Sequence, residues 1–210
     1  MLKQTLTLLF LLALSSSVSG AAAEIPLARF SKSDLSGWSD KTFKGKTDYS
    51  FADGALKAHS VKGASGKIKK VSIDTRNYPK LSWSWRIDHT LRHEDATRKS
   101  GDDFAARVYV IFPRTFFWRM RAINYVWSGK LPVGSHTPSP HTANAVSIAV
   151  ESGDAKAGTW VFEERNVYED YKKIFGEDPP LMGGIAVMTD TDDTKEEVTA
   201  WYGDITLSSE

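Results

Sequence analysis

Apolar and polar residues alternate with a period of two along most of the chain after residue 29, and each alternating run ends in Gly, Pro, Asp or Asn. Such a period throws successive side chains to opposite faces of a strand, so the pattern predicts a β protein. In Leu81-Ser-Trp-Ser-Trp-Arg-Ile87 the apolar residues occupy 81, 83, 85 and 87, while Ser82, Ser84, Arg86 and Asp88 point the other way. Phe104-Ala-Ala-Arg-Val-Tyr-Val-Ile-Phe112 repeats this, with Phe104, Ala106, Val108, Val110 and Phe112 on one face and Arg107, Tyr109 and Ile111 on the other. Further strands are predicted at 28–31, 47–52, 55–61, 65–73, 118–127, 145–152, 159–167, 183–190 and 197–207. Ala52-Asp-Gly-Ala55 predicts a tight hairpin, because Asp-Gly accepts the positive φ that two-residue turns require.

Only Tyr168-Glu-Asp-Tyr-Lys-Lys-Ile-Phe175 has helical spacing, closed by Gly176 and blocked beyond by Pro179-Pro180. Short strands without a repeat or intervening helices predict an all-β, two-sheet β-sandwich or jelly roll with one short helix near 168–175. Two stretches read as loops. Residues 88–103 mix Arg92, His93, Glu94, Asp95, Arg98, Lys99, Asp102 and Asp103, and residues 129–141 carry Pro132, Pro138 and Pro140. Loops of this length often border binding sites.

The first 23 of the 210 residues differ from the rest: Lys3, then an apolar run from Leu8 to Leu14, then small residues ending at Ala23. This is the pattern of a secretory signal, with cleavage expected after Ala23 or, alternatively, Gly20, and it predicts an exported protein, periplasmic or secreted. The apolar run is too short for the ~20 residues that cross a bilayer, so no transmembrane segment is expected. Residues 24–210 then form a single β-sandwich domain. Lys3 is the only charge in the leader, which leaves 26 basic and 26 acidic residues in the remainder. That balance argues against nucleic acid or an anionic membrane as a partner chosen by bulk charge. Cysteine is absent, which removes disulfides, thiol nucleophiles and thiolate metal sites together.

No catalytic signature survives a residue-by-residue test. Gly45-Lys46-Thr47 ends like a phosphate loop, but Asp40 stands where the leading glycine is required. His89 and His93 are four apart, yet lie in the charged loop and lack the His-Glu-x-x-His order. Asp190-Thr-Asp-Asp-Thr194 is rich in oxygen ligands and makes Asp190 and Asp192 candidates for a structural calcium. Lys195 stands where a helix-loop-helix calcium loop needs glycine, and an Asp/Thr turn explains the same residues. No other cofactor is implied.

Polar residues on strands with large apolar neighbours form the other constellation: Arg86, Arg107, Tyr109, Glu163, Arg165 and Asn166. If their faces meet over a concave sheet they would present fixed donors suited to carboxylates and sugar hydroxyls; otherwise they are ordinary outward residues. Among the seven tryptophans, Trp83, Trp85 and Trp160 are expected in the core, and Trp38, Trp118, Trp127 and Trp201 are candidates for stacking on a sugar ring.

Several phrases resemble an uncharacterised bacterial family, domain of unknown function 3047. They include Leu81-Ser-Trp-Ser-Trp-Arg-Ile-Asp88, Gly101-Asp-Asp-Phe-Ala-Ala-Arg-Val-Tyr-Val110, Tyr125-Val-Trp127, Glu164-Arg-Asn-Val167, Gly184-Ile-Ala-Val-Met-Thr-Asp-Thr-Asp192 and Tyr202-Gly-Asp-Ile205. The resemblance implies an exported protein and carries over no catalytic residue. Asp53-Gly-Ala-Leu56 and Tyr202-Gly-Asp-Ile-Thr-Leu207 also resemble the early hairpin and closing strand of galactose-binding-type jelly-roll modules. That likeness implies Asp204 as a ligand of a structural calcium, although Gly203 replaces the first of the paired acids common there.

These readings predict a periplasmic ligand-binding module for a saccharide or another polar cell-envelope molecule. The alternatives are an envelope polysaccharide hydrolase or lyase using Asp/Glu pairs such as Asp102/Asp103, Glu163 and Asp190/Asp192, and a protein-interaction domain using Phe116-Phe-Trp118.

Overall fold

The structure is a computed structural model that describes residues 22–116 and 119–209, so residues 1–21 of the expected signal, Phe117, Trp118 and Glu210 lie outside the described residues. The strands are β1 (Glu24–Ala28), β2 (Trp38–Lys44), β3 (Thr47–Ala52), β4 (Ala55–Val61), β5 (Ala64–Ile73), β6 (Lys80–Ile87), β7 (Ala106–Phe112), β8 (Arg121–Ser128), β9 (His136–Ser139), β10 (Thr142–Ser152), β11 (Val161–Asn166), β12 (Met182–Asp190) and β13 (Glu197–Ser208); α1 spans Val167–Phe175. They form a two-sheet β-sandwich. One sheet has the order β11-β6-β13-β4-β3 with β1 added beside β13, and the other runs β2-β5-β12-β7-β8-β10-β9. Pairing is antiparallel except between β8 and β10, which run parallel.

The alternation in β6 is realised residue by residue, with Leu81, Trp83, Trp85 and Ile87 buried and their neighbours partly exposed. Trp83 and Trp85 meet edge to face at 5.4 Å and reach across to Tyr125 at 5.3 Å and Trp127 at 5.9 Å on β8. Large aromatics each hide roughly 150–250 Å², so this quartet dominates the contact between the sheets. Asp53 and Gly54 adopt φ of 56° and 68°, the left-handed pair expected for the β3–β4 hairpin. Asn166 caps α1 by accepting the Glu169 N–H at 3.0 Å, and Gly176 ends it at φ 70°.

Two expectations need correction, and one strand, β2, carried no expectation. Residues 28–31 are not a strand: β1 ends at Ala28 and Phe30–Lys32 is a 3-10 turn. The Ser31 N–H and hydroxyl both go to Asp204, at 2.8 and 2.7 Å, so this backbone donor serves a side chain rather than a ladder. Strand β2 lies at a sheet edge and is exposed nearly throughout, which leaves no alternation to read. The proline-rich stretch 129–141 contains β9, and Pro138 is tolerated there because β9 is also an edge strand.

A second, smaller cluster of Ala96, Phe104, Val126 and Ala149, with Leu131 against it, lies apart from the main core. Val126 and Ala149 belong to the face of β8 and β10 turned away from the sandwich, so the loop from Asp88 to Ala105 folds over part of that outer face. Glu94 pins this cover. It is buried, accepts the Gly129 N–H at 2.6 Å and accepts a second hydrogen bond from the Ser128 hydroxyl. Glu196 adds a second tie, accepting the N–H groups of Arg92 and His93 at 3.1 and 2.9 Å.

Candidate functional site

Where the cover stops, the outer face of the seven-stranded sheet is open and carries a groove. Strand register explains it. Gly66 opposes Met188; Ile68, Ala186 and Tyr109 form one row across β5, β12 and β7; Ile111, Ala122 and Ala145 form the next across β7, β8 and β10. Small residues at 66, 122, 145 and 186 leave room where longer side chains would fill the surface. At Gly66 a Cβ would fall 2.8 Å from the Val187 carbonyl oxygen, so the close approach of β5 and β12 itself demands glycine.

The space comprises two adjoining cavities of about 320 and 380 Å³ that share Phe43, Tyr109 and Met188. The first is apolar, floored by Ile68, Tyr109, Ile111 and Ala186 and rimmed by Lys41, Phe43, Lys67 and Met120. Phe43 is 63% exposed on edge strand β2. The second is mixed: charged and polar side chains of Asp102, Arg107, Ser139, His141, Asp190, Asp192 and Asp193 border it together with Phe43, Ala64, Tyr109 and Met188.

Arg107 organises the polar end. Its Nε and Nη2 donate to the two carboxylate oxygens of Asp190 at 2.8 and 2.5 Å, and Nη1 donates to the Tyr109 hydroxyl oxygen at 3.1 Å. Nη2 also donates to the Asp102 carbonyl. Its main-chain N–H is held by the Tyr202 hydroxyl at 3.2 Å, reaching across from β13, while that hydroxyl donates to the Met188 carbonyl at 2.6 Å. Burial opposes the charge on Arg107, but Asp190, Tyr109 and Asp102 outweigh it and hold the guanidinium above its ordinary value. Bidentate pairing of this kind fixes a buried arginine in one rotamer. Asp102 is free enough to accept the Ser139 hydroxyl at 3.1 Å, and His141 Nε2 stands 3.8 Å from the same oxygen.

The remaining candidates do not join this site. Arg86 lies on the outer face of the other sheet, paired to Asp53 at 3.0 Å and stacked 4.1 Å over Trp201. Arg165 sits beside α1, gripping Asp170 through Nε at 3.0 Å and Nη2 at 2.6 Å. Glu163, on the same strand, accepts the Trp85 indole N–H at 3.3 Å; burial, then the nearby Glu151, pushes its carboxyl up to about 7. Asn166 is the helix cap. Arg86, Arg107 and Arg165 therefore do not converge on one pocket. The three strands that bear them present these positions to three different surfaces, and each guanidinium already has its own carboxylate.

The metal candidates are likewise separated. Both oxygens of Asp204 are taken by Ser31. Asp190 is committed to Arg107 and to the Phe104 N–H at 3.1 Å. Asp192 instead stands with Asp103 and Asp193, one carboxylate oxygen from each lying within 4.8 Å of the others. His89 contacts Asp88 at 3.0 Å and His93 contacts Glu196 at 3.3 Å, so each has a partner of its own. Among the tryptophans, Trp127 is buried, against the expectation of stacking, and Trp160 is 43% exposed, against that of burial. Trp38 packs on Phe30 at 5.1 Å. Phe43, Lys41 and Gly66 were not singled out by sequence reasoning, because an exposed edge strand and a lone glycine carry no signal until register aligns them.

No curated protein matches the chain. Among solved structures, the xyloglucanase domain of NopAA, a type three effector from Sinorhizobium fredii, in complex with cellobiose, is similar at 10% identity and a TM-score of 0.48, covering 91% of this chain and 100% of that one. A family 29 carbohydrate-binding module complexed with cellulohexaose is similar at 10% identity and a TM-score of 0.46, covering 90% and 92%. The family 11 carbohydrate-binding module of a cellulosomal cellulase of Clostridium thermocellum follows at 11% and 0.45, covering 89% and 95%. The profile of the family described as protein of unknown function (DUF3047) matches residues 36–206, and the chain belongs to that family.

Proposed function

We propose that the protein is a saccharide-binding module of the cell envelope and that its ligand lies in the groove over β5, β12 and β7. The observation that carries this reading is an apolar floor that runs into an adjoining cavity bordered by charged and polar side chains. A sugar ring has the same division: its C–H face is apolar and its rim carries hydroxyls. Tyr109, Ile111 and Ile68 offer the flat apolar surface, Phe43 stands at the rim to stack, and Lys41, Lys67, Asp102, Ser139 and His141 offer donors and acceptors to hydroxyls. Export of the chain, read from residues 1–23, would place such a module among envelope polysaccharides. The hydrolase reading is less supported, because the buried carboxylate of Asp190 is engaged by Arg107 rather than free across a cleft.

The test is a glycan array followed by calorimetric titration of the strongest hit into the protein and into Phe43→Ala and Tyr109→Ala variants. Phe43 is exposed, so its removal should leave the fold intact and weaken binding about 10-fold or more, a loss of about 1.4 kcal/mol. Absence of any glycan ligand, or affinity unchanged in both variants, would overturn the proposal.

A further inference from the structure

Beside the polar end of the groove, the β12–β13 turn and the covering loop bring Asp192, a calcium candidate by sequence, together with Asp103 and Asp193, which were not. Asp103 is fully buried. Its Oδ2 accepts the N–H groups of Asp193 and Thr194 at 2.9 and 2.6 Å, which clamps the carboxylate rigidly to the turn. Its Oδ1 is buried with no hydrogen-bond partner. Asp192 and Asp193 complete a triad whose oxygens lie within 4.8 Å of one another, and both also line the 380 Å³ cavity, which gives a route in from solvent. The Thr194 hydroxyl, in the same turn, is buried without a partner as well.

A buried, bare carboxylate oxygen held against two further carboxylates is costly unless something positive completes it. The nearby cations fall short. Arg107 is bound to Asp190 and Asp102, Lys44 is 60% exposed and reaches Asp192 at 3.6 Å, and Lys195 donates to the Asp192 carbonyl.

We propose that Asp103, Asp192 and Asp193 bind a hard divalent cation of the calcium class at the mouth of the groove. The ligand set is all oxygen and contains no nitrogen or sulfur, which suits such an ion rather than zinc or copper. The turn is already shaped for the task. Thr191 bonds Ser60 through its hydroxyl at 2.9 Å and the Gly63 carbonyl through its N–H at 2.9 Å, and Lys195 donates its N–H back to Thr191 at 3.0 Å. The site differs in place and residues from the calcium position that the jelly-roll likeness implied at Asp204, which Ser31 fills. It does not rest on the saccharide reading.

The experiment uses chelator-treated protein without any sugar, titrated with CaCl2 or MgCl2 alone and followed by calorimetry and thermal melting. Calcium at about 100 times its Kd is expected to raise Tm by about 5 °C or more, with one ion bound per chain. Asp103→Asn keeps an oxygen for the two N–H bonds while removing the charge; it should melt no lower than the chelated wild type and bind calcium at least 10-fold more weakly. Asp192→Asn/Asp193→Asn, on the more accessible turn, should abolish the Tm shift and decides the matter should Asp103→Asn fail to fold. No heat and no shift at millimolar calcium or magnesium, or an undiminished shift in the double variant, would overturn the proposal. Loss of glycan binding would leave this result unaffected.

Discussion

Glu94 couples the covering loop to the sheet, and its substitution by Gln makes a sharp test of how that cover is held. The side chain is 1% exposed, and its oxygens receive the Gly129 N–H and the Ser128 hydroxyl. Burial pushes its carboxyl up to about 7 from an ordinary 4.5, against the pull of those two bonds. A carboxyl whose value is raised on folding binds its proton more tightly in the folded state, so acid favours the fold. Stability is complete below about pH 4.5 and is lost as pH rises through 7. The difference amounts to about 3 kcal/mol between pH 4.5 and pH 8. Gln can place its carbonyl on the Gly129 N–H and its amide toward Ser128, and it does not titrate. Urea denaturation of both proteins across that range should therefore show the wild type losing about 3 kcal/mol relative to Glu94→Gln as pH rises, with the curves nearest at the acid end. A difference between the two that stays flat with pH would refute the reasoning. So would a wild type that gains on the variant toward alkaline pH.

The buried pair at the head of the groove gives a second expectation. Arg107→Leu leaves the Asp190 carboxylate buried without its bidentate partner and should cost about 3–5 kcal/mol by urea denaturation at pH 7, whereas Arg107→Leu/Asp190→Leu should recover much of the loss. Equal losses in both would contradict the pairing. Asn166→Ala removes the cap of α1 and should cost about 1 kcal/mol in the same assay, with no effect on glycan or calcium titrations.

The architecture was legible wherever one strand face met the core and the other met water or the groove. β6, β7 and the β3–β4 hairpin declare themselves through alternation and through Asp-Gly. β2 and β9 do not, because an edge strand exposed on both faces, or interrupted by Pro138, has no hydrophobic period. The site was legible only in part. Arg107 and Tyr109 were marked as polar residues on an apolar strand, and both line the groove. Arg86 and Arg165 carried the same mark and lie elsewhere, since alternation says which face of its own strand a residue takes and nothing about which strands become neighbours. The buried acids of the charged loop illustrate the same gap. Glu94, Asp102 and Asp103 read only as members of a charged loop, yet the loop lies back over the outer face and turns them inward to Ser128, Arg107 and the β12–β13 turn.

Amide chemical-shift mapping by heteronuclear NMR, with the glycan selected from the array, tests the location of the binding surface most directly. The expected result is a contiguous set of shifts at Gly66, Ile68, Tyr109, Ile111 and Ala186, with the outer face of the opposite sheet silent. Shifts confined to Trp160, Phe162 and Trp201, with the groove unmoved, would contradict it.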